Sequence, residues 1–297
     1  MDKEKLRIAL ANITKKYGKD SITVLGKSLD KYTIERFTSG IEDFDEMIGG
    51  GVPKGRIIEL WGPNQAGKTT VAYQLCGQVP FAHFIDLEGT ADEERAYLFG
   101  CKKGRLSISR PDNGEQACDE ILEFTKAGVP LIVVDSIPGM VPKNVSEKEI
   151  GKDDISPIPR LMSKLFMRLM PSLGDSETTI VFINQVRDRI GGFGWGDPYT
   201  TPGGHAMKHY ASLRIEVRRK GWIGKPADRF GQLIICRAVK SKVSKPYQTC
   251  ELPLLFDVGF VKHEDLKSEI KRLRKDAKVK TKHERYIVED EEPEEEN

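Results

Sequence analysis

The stretch that decides the fold runs from Arg56 to Leu75 and reads RIIELWGPNQAGKTTVAYQL. Its centre, Gly62 to Thr69, is a full match to GxxxxGK[ST], and it lies between an apolar, β-branched run and a helical stretch. Glycines let such a loop curl so that successive backbone N–H groups and the next helix N-terminus face a phosphate. Lys68 is then expected to neutralise β- and γ-phosphate charge, and the Thr69 hydroxyl to bind Mg²⁺. A glycine-rich turn without a nucleotide is the alternative for a bare match, and the strand–loop–helix setting argues against it.

Short apolar runs continue on the C-terminal side of this stretch. AHFIDL, LIVVDS and TIVFINQ read as buried strands, with helical stretches such as GEQACDEILEFTKAG between them. This alternation predicts a parallel α/β sheet covered by helices on both faces. After residue 205 the runs SLRIEVRR, QLIICRAVK and QTCELPLLF are separated by turn-forming segments, which predict an antiparallel extension of the same sheet. The fold class is therefore α/β.

The N-terminal residues predict a helix followed by a short strand. Leu6, Leu10, Ile13 and Tyr17 form one apolar helical face, and Gly18 can end the helix. The run SITVLG then reads as extended. Because so small a unit cannot bury its own apolar stripe, the stripe packs either on the core of the chain or on a neighbouring subunit.

Polar residues at the ends of the predicted strands complete a phosphate site. Asp135 follows four apolar residues, where a carboxylate can support the metal; the alternative is a helix cap. Glu88 follows the strand AHFID and is placed to act as a general base; in isolation it would be an ordinary loop carboxylate. Asn184 and Gln185 end TIVFINQ, where an amide could report the γ-phosphate or simply cap the strand.

Composition and length exclude several classes of protein. A chain of 297 residues can bury a substantial core, and 38% hydrophobic with 31% charged residues is the composition of a globular protein with a solvated surface. No apolar run approaches the ~20 residues of a membrane helix, and MDKEKLRIAL does not read as a secretory signal. The five cysteines form no CxxC pair, so we expect reduced thiols and a cytoplasmic protein.

The net charge of +2 is unevenly distributed along the chain. Residues 1–260 carry +4, residues 261–285 carry +5, and residues 286–297 carry −7. A basic segment followed by an acidic tail is typical of proteins that handle a polyanion. A disordered tail that only aids solubility is the alternative.

Seven segments taken together resemble one family. In chain order they are KKYGKDSITVLG, GRIIELWGPNQAGKTT, FIDLEGTAD, IVVDS, KEIG, FINQVRDRIG and TPGGHAMKHYASLRIEVRR. They resemble the RecA family of DNA strand-exchange recombinases, nearly colinearly from about residue 5 to residue 260. The resemblance implies a RecA-type P-loop NTPase core, ATP and Mg²⁺ as cofactors, and a homo-oligomeric helical filament on single-stranded DNA that searches a homologous duplex. It also implies single-strand-binding and mediator proteins as partners, and no membrane.

The same resemblance divides the chain into three parts. Residues 1–33 would be a polymerisation arm of helix and strand, and residues 34–260 the ATPase and DNA-binding core. Residues 261–297 would be a basic helical segment and a disordered acidic tail. The compact C-terminal domain of the family has no counterpart in the sequence.

The resemblance assigns catalysis and the nucleotide to particular residues. Glu88 would activate water, Gln185 would couple the γ-phosphate to DNA, and Thr69 and Asp135 would hold the metal. Lys68 would act on the phosphates, while Lys240 and Lys242 would reach across the filament interface to a neighbour's ATP. Arg95 replaces a tyrosine that stacks on adenine in the family, and Phe256 can supply an aromatic ring instead. The implied nucleotide residues are Gly62, Pro63, Asn64, Gln65, Ala66, Gly67, Lys68, Thr69, Thr70, Asp92, Arg95, Asp135 and Phe256.

DNA contact falls on two loops in this interpretation, 144–159 and 187–204. Apolar side chains would wedge between base triplets, and glycine N–H groups would approach phosphates. A glycine-rich lid over the nucleotide is the alternative for the second loop. The implied DNA-binding residues are Ile155, Arg160, Ser163, Arg187, Ile190, Trp195, Gly203 and Gly204.

The sequence therefore predicts a DNA-dependent ATPase that forms recombination filaments. A RecA-like regulatory or scaffold ATPase without strand exchange is the alternative, because the resemblance does not extend to the family's C-terminal domain and Arg95 and His209 replace family aromatics. A ring-forming helicase or clock-type ATPase is a third hypothesis, and the N-terminal arm argues against it.

Overall fold

A computed structural model describes residues 1–18, 21–22, 33–146, 157–174, 176–188, 199–226 and 228–276. The chain divides into two compact units, Met1–Glu35 and Arg36–Asn297.

The first unit contains the predicted N-terminal helix, α1, Lys3–Tyr17. Asp2 caps its start, because the carboxylate accepts hydrogen bonds from the backbone N–H groups of Glu4 and Lys5 at 3.0 and 3.4 Å. Gly18 ends the helix with a φ of +97°. The apolar stripe faces solvent, since no residue of α1 is buried. The strand predicted over SITVLG lies outside the described residues beyond Ile22.

The second unit alternates strands and helices. Its described strands are β1 Arg36–Phe37, β2 Val52–Pro53, β3 Ile57–Gly62, β4 Ala82–Asp86, β5 Leu106–Ser109, β6 Leu131–Asp135, β7 Thr179–Gln185, β8 Arg187–Asp188, β9 Tyr199–Thr200, β10 Leu213–Lys225, β11 Asp228–Ser241, β12 Thr249–Leu255 and β13 Gly259–Phe260. Its described helices are α2 Glu42–Met47, α3 Lys68–Gly77, α4 Glu93–Leu98, α5 Gly114–Lys126, α6 Lys143–Ser146, α7 Pro157–Gly174, α8 Gly204–Tyr210 and α9, residues 266–276.

Nine of the described strands form one sheet in the order β13-β12-β11-β10-β3-β7-β6-β4-β5. The strands from β10 to β5 pair in parallel, whereas β10, β11, β12 and β13 pair antiparallel. The predicted α/β sheet with an antiparallel extension is confirmed.

Helices cover both faces of this sheet and bury two hydrophobic layers. Along β3, Ile58 and Leu60 point into the layer that contains Val71 of α3, while Ile57 points into the layer of α5 and α7. Burying these side chains is the main favourable term in folding. The alternation of side chains along β3 therefore anchors the phosphate loop to both layers.

The parallel strands bring their carboxyl ends to one edge of the sheet. Gly62 is in register with Gln185, and Asp86 with Asp135. In open α/β sheets, ligands bind in the crevice outside this edge. The residues expected to handle phosphate therefore converge at the edge that normally binds ligands.

The charged helix predicted after Gly259 is present as α9 over residues 266–276. The acidic tail, 286–297, lies outside the described residues. No helix in the described part of the chain combines the length and apolarity needed to cross a bilayer.

Candidate nucleotide site

The phosphate loop is a tight curl between β3 and α3. Gly67 precedes α3 with a φ of +100°, a conformation that glycine adopts far more readily than other residues. A Cβ at this position would also overlap the Ile234 side chain. Gln65 also adopts a positive φ of 59°. These two positive φ values produce a tight turn directly ahead of the helix N-terminus, where backbone N–H groups can bind phosphate.

Lys68 is buried in this curl. Its Nζ donates hydrogen bonds to the carbonyl oxygens of Gly62 at 3.1 Å and Pro63 at 2.7 Å. Burial lowers the pKa of Lys68, and the carboxylates of Asp135 and Glu88 oppose that shift. The loop therefore holds a cation where the phosphate charge would lie.

Thr69 and Asp135 place two oxygen ligands side by side. The Thr69 hydroxyl donates a hydrogen bond of 2.7 Å to Asp135 Oδ2. Burial raises the pKa of Asp135 to about 6, and the Thr69 hydroxyl opposes this rise. Mg²⁺ is usually held by one or two carboxylates together with phosphates and waters. The Thr69 hydroxyl and the Asp135 carboxylate are oxygen donors of this kind, so the pair fits Mg²⁺ in that mode.

Glu88 is oriented by two donors. The Ser136 hydroxyl and Gln185 Nε2, the latter at 2.9 Å, both donate to its Oε1. No described donor contacts Oε2, which can therefore accept a proton from water. Ser136 was not predicted from the sequence, although its place directly after Asp135 at the strand end is a signal that could have found it.

The loop that carries Glu88 is tied to the sheet by Asp86, which is buried. The Asp86 carboxylate accepts hydrogen bonds from the backbone N–H groups of Thr90 at 3.1 Å and Ala91 at 2.9 Å. It also accepts one from Arg110 Nε at 3.1 Å. These contacts fix both ends of the five-residue turn and so restrict the movement of Glu88.

The Asn184 side chain points away from the phosphate loop. Its Nδ2 donates to Glu59 Oε1 at 2.8 Å and to the Pro202 carbonyl at 2.9 Å, and Glu59 also pairs with Arg214. Of the two amides predicted at this strand end, only Gln185 contacts Glu88. Asn184 instead connects a fully buried carboxylate with the segment that precedes α8.

A pocket of about 400 Å³ extends from the phosphate loop. Besides residues of the phosphate loop, Arg95, Arg219, Trp222 and Phe256 line it. Arg95 and Phe256 were predicted there, whereas Arg219 and Trp222 were not. Asp92 caps α4, because its carboxylate accepts from the backbone N–H groups of Glu94 and Arg95 at 2.9 and 3.3 Å.

The lysine pair binds the C-terminal end of α8. Lys240 Nζ donates to the carbonyl oxygens of Lys208 at 2.5 Å and His209 at 3.1 Å, and Lys242 Nζ donates to that of His209 at 2.9 Å. Cations are favoured at this end of a helix. Burial lowers the pKa of Lys240, and Lys242 adds to the effect.

The lysine pair lies at the sheet edge opposite the phosphate loop. Ser241, between the two lysines, pairs with Leu213, and Leu213 pairs with Ile58 near the start of β3. Gly62 lies four positions further along β3 than Ile58, a distance of roughly 13 Å. The structure therefore does not bring Lys240 and Lys242 to the phosphate loop of their own subunit.

Only the borders of the two predicted DNA loops are described. Ile155, Ile190 and Trp195 lie outside the described residues. Arg187 begins β8, where it pairs with Thr200 of β9, so the second loop leaves the sheet as a short antiparallel ladder.

The borders of the two loops are neighbours. Arg160 is exposed in the first turns of α7, and the Ser163 hydroxyl donates to the Pro159 carbonyl at 2.8 Å. A Cβ on Gly204 would lie 3.0 Å from Pro159 Cβ, so the start of α8 touches the start of α7. Gly203, which precedes α8, has a φ of +89°. The starts of α7 and α8, which carry four of the predicted DNA residues, therefore lie next to each other.

Comparisons with known proteins agree on one family. A family model described as RecA N-terminal domain matches residues 4–261. Protein RecA of Mycoplasma mycoides subsp. mycoides is 40% identical over 266 residues, which are 87% of this chain and 76% of the relative. Protein RecA of Aquifex aeolicus is 38% identical over 270 residues, 89% and 78% of the two chains. Protein RecA of Nitratiruptor sp. is 37% identical over 268 residues, 88% and 77%.

Proposed function

The chain belongs to the RecA family, and from that premise we propose which of its residues bind ATP, hydrolyse it and contact DNA. It is an ATP-dependent recombination protein that forms filaments on single-stranded DNA and exchanges strands with a homologous duplex. It is a DNA-dependent ATPase that uses Mg²⁺. The observation that best supports the assignment of residues is the contact of Glu88 with Gln185, because it links hydrolysis to a DNA loop.

We assign the phosphates to the curl of Gly62–Thr69, with Lys68 as the buried cation. Thr69 and Asp135 would hold Mg²⁺, which supplies charge neutralisation and orientation of the phosphates. Glu88 Oε2 would take a proton from water while the water oxygen attacks the γ-phosphorus and ADP leaves. Ser136 would keep the carboxylate turned for this step.

Gln185 would couple DNA binding to hydrolysis. It is the last residue of β7, and Arg187 begins the second DNA loop two residues later. A shift of that loop on DNA would move the amide and so change the orientation of Glu88. Asn184 would steady the other side of the loop through the Pro202 carbonyl.

Lys240 and Lys242 would complete the ATP site of the next subunit. They cannot serve their own phosphate loop, because the two lie at opposite sheet edges. A cation supplied from a neighbour stabilises charge on the transferring phosphoryl group. ATP would then be held between subunits, and hydrolysis would depend on assembly.

Replacing Lys240 by alanine is expected to lower DNA-stimulated hydrolysis by about 10- to 100-fold, the cost of losing one charge-assisted contact. ATP binding by the isolated subunit should be unchanged. Lys245→Ala, which removes an exposed lysine of the same segment, is the control. Steady-state ATPase assays and equilibrium binding would separate the two effects.

Mixing gives a sharper test of the arrangement between subunits. A Lys240→Ala, Lys242→Ala variant keeps its phosphate loop, and a Lys68→Ala variant keeps its lysine pair. A mixture should hydrolyse ATP faster than either variant alone. If the mixture hydrolyses ATP no faster than the summed rates of the two separate variants, the lysines do not act across an interface.

We further propose the division into an arm, 1–33, a core, 34–260, and a basic segment with an acidic tail, 261–297. The stripe of α1 is exposed, with Leu6 and Ile13 about 40% accessible, which suits packing on a neighbouring subunit. We propose a cytoplasmic location, supported by five cysteines that are all free and buried. Single-strand-binding and mediator proteins remain proposed partners.

Electron microscopy with single-stranded DNA and a non-hydrolysable ATP analogue tests this function most directly. We expect helical filaments, together with ATP hydrolysis that rises when single-stranded DNA is added. Joint molecules between homologous DNAs should form in the same preparation. Rings, or the absence of both filaments and stimulated hydrolysis, would contradict the assignment; filaments without joint molecules would favour a scaffold ATPase.

A further inference from the structure

Four of the five cysteines lie in two pairs of adjacent thiols. Cys76 of α3 forms a hydrogen bond with Cys101, which follows α4. Cys236 of β11 is in register with Cys250 of β12, and their thiols also form a hydrogen bond. All four are free, and the nucleotide chemistry uses none of them. Adjacent thiols can be joined by oxidation where an oxidant reaches them.

The segments that carry Cys76 and Cys101 are in direct backbone contact. A Cβ on Gly77, next to Cys76, would overlap the Phe99 carbonyl oxygen and lie 3.0 Å from the Gly100 carbonyl carbon. Glycine at position 77 therefore lets the two backbones touch. A disulfide requires α-carbons roughly 4.4 to 6.8 Å apart, a separation that backbones in contact can meet.

Tyr73 already holds both ends of α4 against α3. Its carbonyl oxygen accepts a hydrogen bond from Cys101 Sγ at 3.7 Å, and its hydroxyl accepts one from the Asp92 N–H at 3.1 Å. Asp92 caps the start of α4, and Cys101 lies just beyond its end. A bond between Cys76 and Cys101 would therefore join two segments that are already packed together.

A cavity of about 290 Å³ adjoins this pair. Cys76 lines it, as do Arg105 and both chain neighbours of Cys101, Gly100 and Lys102. Lys102 and Arg105 are exposed, so the cavity opens to solvent. Of the described residues that line it, these two are cations and none is a carboxylate. The cavity therefore admits a small molecule and favours a reaction that releases an anion.

The thiolate form is favoured on Cys101. The hydrogen bond with Cys76 lowers the pKa of the Cys101 thiol, and burial opposes this shift. The same hydrogen bond, together with burial, raises the pKa of Cys76. Because the thiolate is the nucleophile, Cys101 attacks an oxidant first and Cys76 reacts with the product.

The other thiols lack this combination. The hydrogen bond with Cys250 and burial raise the pKa of Cys236 well above its usual range, and Cys236 is fully buried in the layer that contains α3. Burial raises the pKa of Cys118 to about 12. Cys236 and Cys250 are thus a second pair of adjacent thiols that serves as an internal control.

We propose that Cys76 and Cys101 form a reversible oxidation site whose substrate is a hydroperoxide. The Cys101 thiolate attacks one oxygen of hydrogen peroxide, the O–O bond breaks, and hydroxide leaves, which gives a sulfenic acid on Cys101. The hydroxide takes up the proton that Cys101 released on ionising.

Cys76 completes the reaction. Its sulfur attacks the sulfur of the sulfenic acid, the S–O bond breaks, and the Cys76 proton leaves with the departing hydroxyl group as water. Two thiols are oxidised to one disulfide, and hydrogen peroxide is reduced to two waters. The bond would fasten the segment after α4 to α3, the helix that carries Lys68 at its other end, and a thiol reductant would reverse it.

Mapping of thiols after peroxide treatment of the folded, full-length chain tests the site. The treated protein is denatured in an alkylating reagent, which labels the remaining free thiols, and is then digested for mass spectrometry. We expect the Cys76 peptide to be linked to the Cys101 peptide. Cys118, Cys236 and Cys250 should be alkylated, and treatment with dithiothreitol before alkylation should return all five thiols.

Single substitutions separate the two steps. In Cys76→Ala, peroxide should leave a sulfenic acid on Cys101, which dimedone traps. In Cys101→Ala, Cys76 should remain a thiol under the same exposure, because its raised pKa leaves little thiolate. Arg105→Gln should slow disulfide formation in the otherwise unaltered chain. Lys103→Gln, at an exposed cation that does not line the cavity, is the control and should not.

Three results would overturn the proposal. The first is five alkylated thiols in the treated, unaltered protein. The second is a link between Cys236 and Cys250 that forms as fast as the link between Cys76 and Cys101, which would mean that proximity alone decides oxidation. The third is a Cys101 sulfinic acid without a disulfide, which would mean that Cys76 does not reach the oxidised sulfur.

Discussion

Replacing Glu88 by glutamine is expected to slow ATP hydrolysis by about 10²- to 10⁴-fold, the range that a positioned general base contributes. Glutamine has nearly the same shape, and its carbonyl oxygen can still accept from Ser136 and Gln185. It cannot take a proton from water. The variant should therefore bind ATP and assemble on DNA normally, and fail only in the chemical step.

Single-turnover hydrolysis and filament assembly should be measured on the same preparation. Assembly with ATP should persist longer in Glu88→Gln than in the unaltered protein, because the nucleotide is not consumed. Glu94→Gln is the control, because it makes the same change from carboxylate to amide at an exposed residue in the first turn of α4. It should leave turnover unchanged. Turnover in Glu88→Gln within a few-fold of normal would assign the base to another group.

Lys68→Ala should lower hydrolysis by about 10³-fold or more, since it removes a preorganised cation from a water-poor site. Unlike Glu88→Gln, it should also weaken ATP binding and so prevent ATP-dependent assembly of the variant on its own. The loss should not come from unfolding. The buried ammonium is costly to desolvate, as its lowered pKa shows, so its removal should leave thermal stability equal or higher.

Nucleotide affinity and thermal unfolding together test this prediction. Lys103→Ala, at an exposed position, should change neither quantity. Retained turnover in Lys68→Ala would contradict the phosphate assignment. A large fall in melting temperature would mean instead that Lys68 has a structural role.

The positions that could be predicted from the sequence are those defined by local sequence order. The phosphate loop sits between a strand and a helix, and Asp135 ends a buried strand; each pattern lies within one continuous stretch of sequence. Parallel pairing then brings such strand ends to one edge. This reasoning located Glu88 and Gln185 as well, although it did not predict that they touch.

The missed contacts depend on strand order and side-chain direction. Ser136 reaches Glu88 across 48 residues of sequence, and Asn184 reaches Glu59 across 125. Trp222 lies on the long antiparallel strand β10. The sequence pattern of a strand indicates which side chains are buried, but it does not indicate which pocket a ring lines. These contacts depend on the order of the strands in the sheet, in which β3 lies between β7 and β10. That order cannot be read from the sequence pattern.

The separation of the phosphate loop and the lysine pair gives a polymer of these subunits two different ends. On the role proposed above for the lysine pair, each site would need a loop and the next subunit's lysines, so a head-to-tail chain of n subunits would hold n−1 complete sites. At one end, the last subunit would hold a nucleotide without a neighbour's lysines and would hydrolyse it slowly. At the other end, the lysine pair of the last subunit would have no neighbouring nucleotide to contact. Subunits should therefore be added and lost at unequal rates at the two ends. The polymer would be polar because the loop and the lysine pair lie at opposite edges of one sheet.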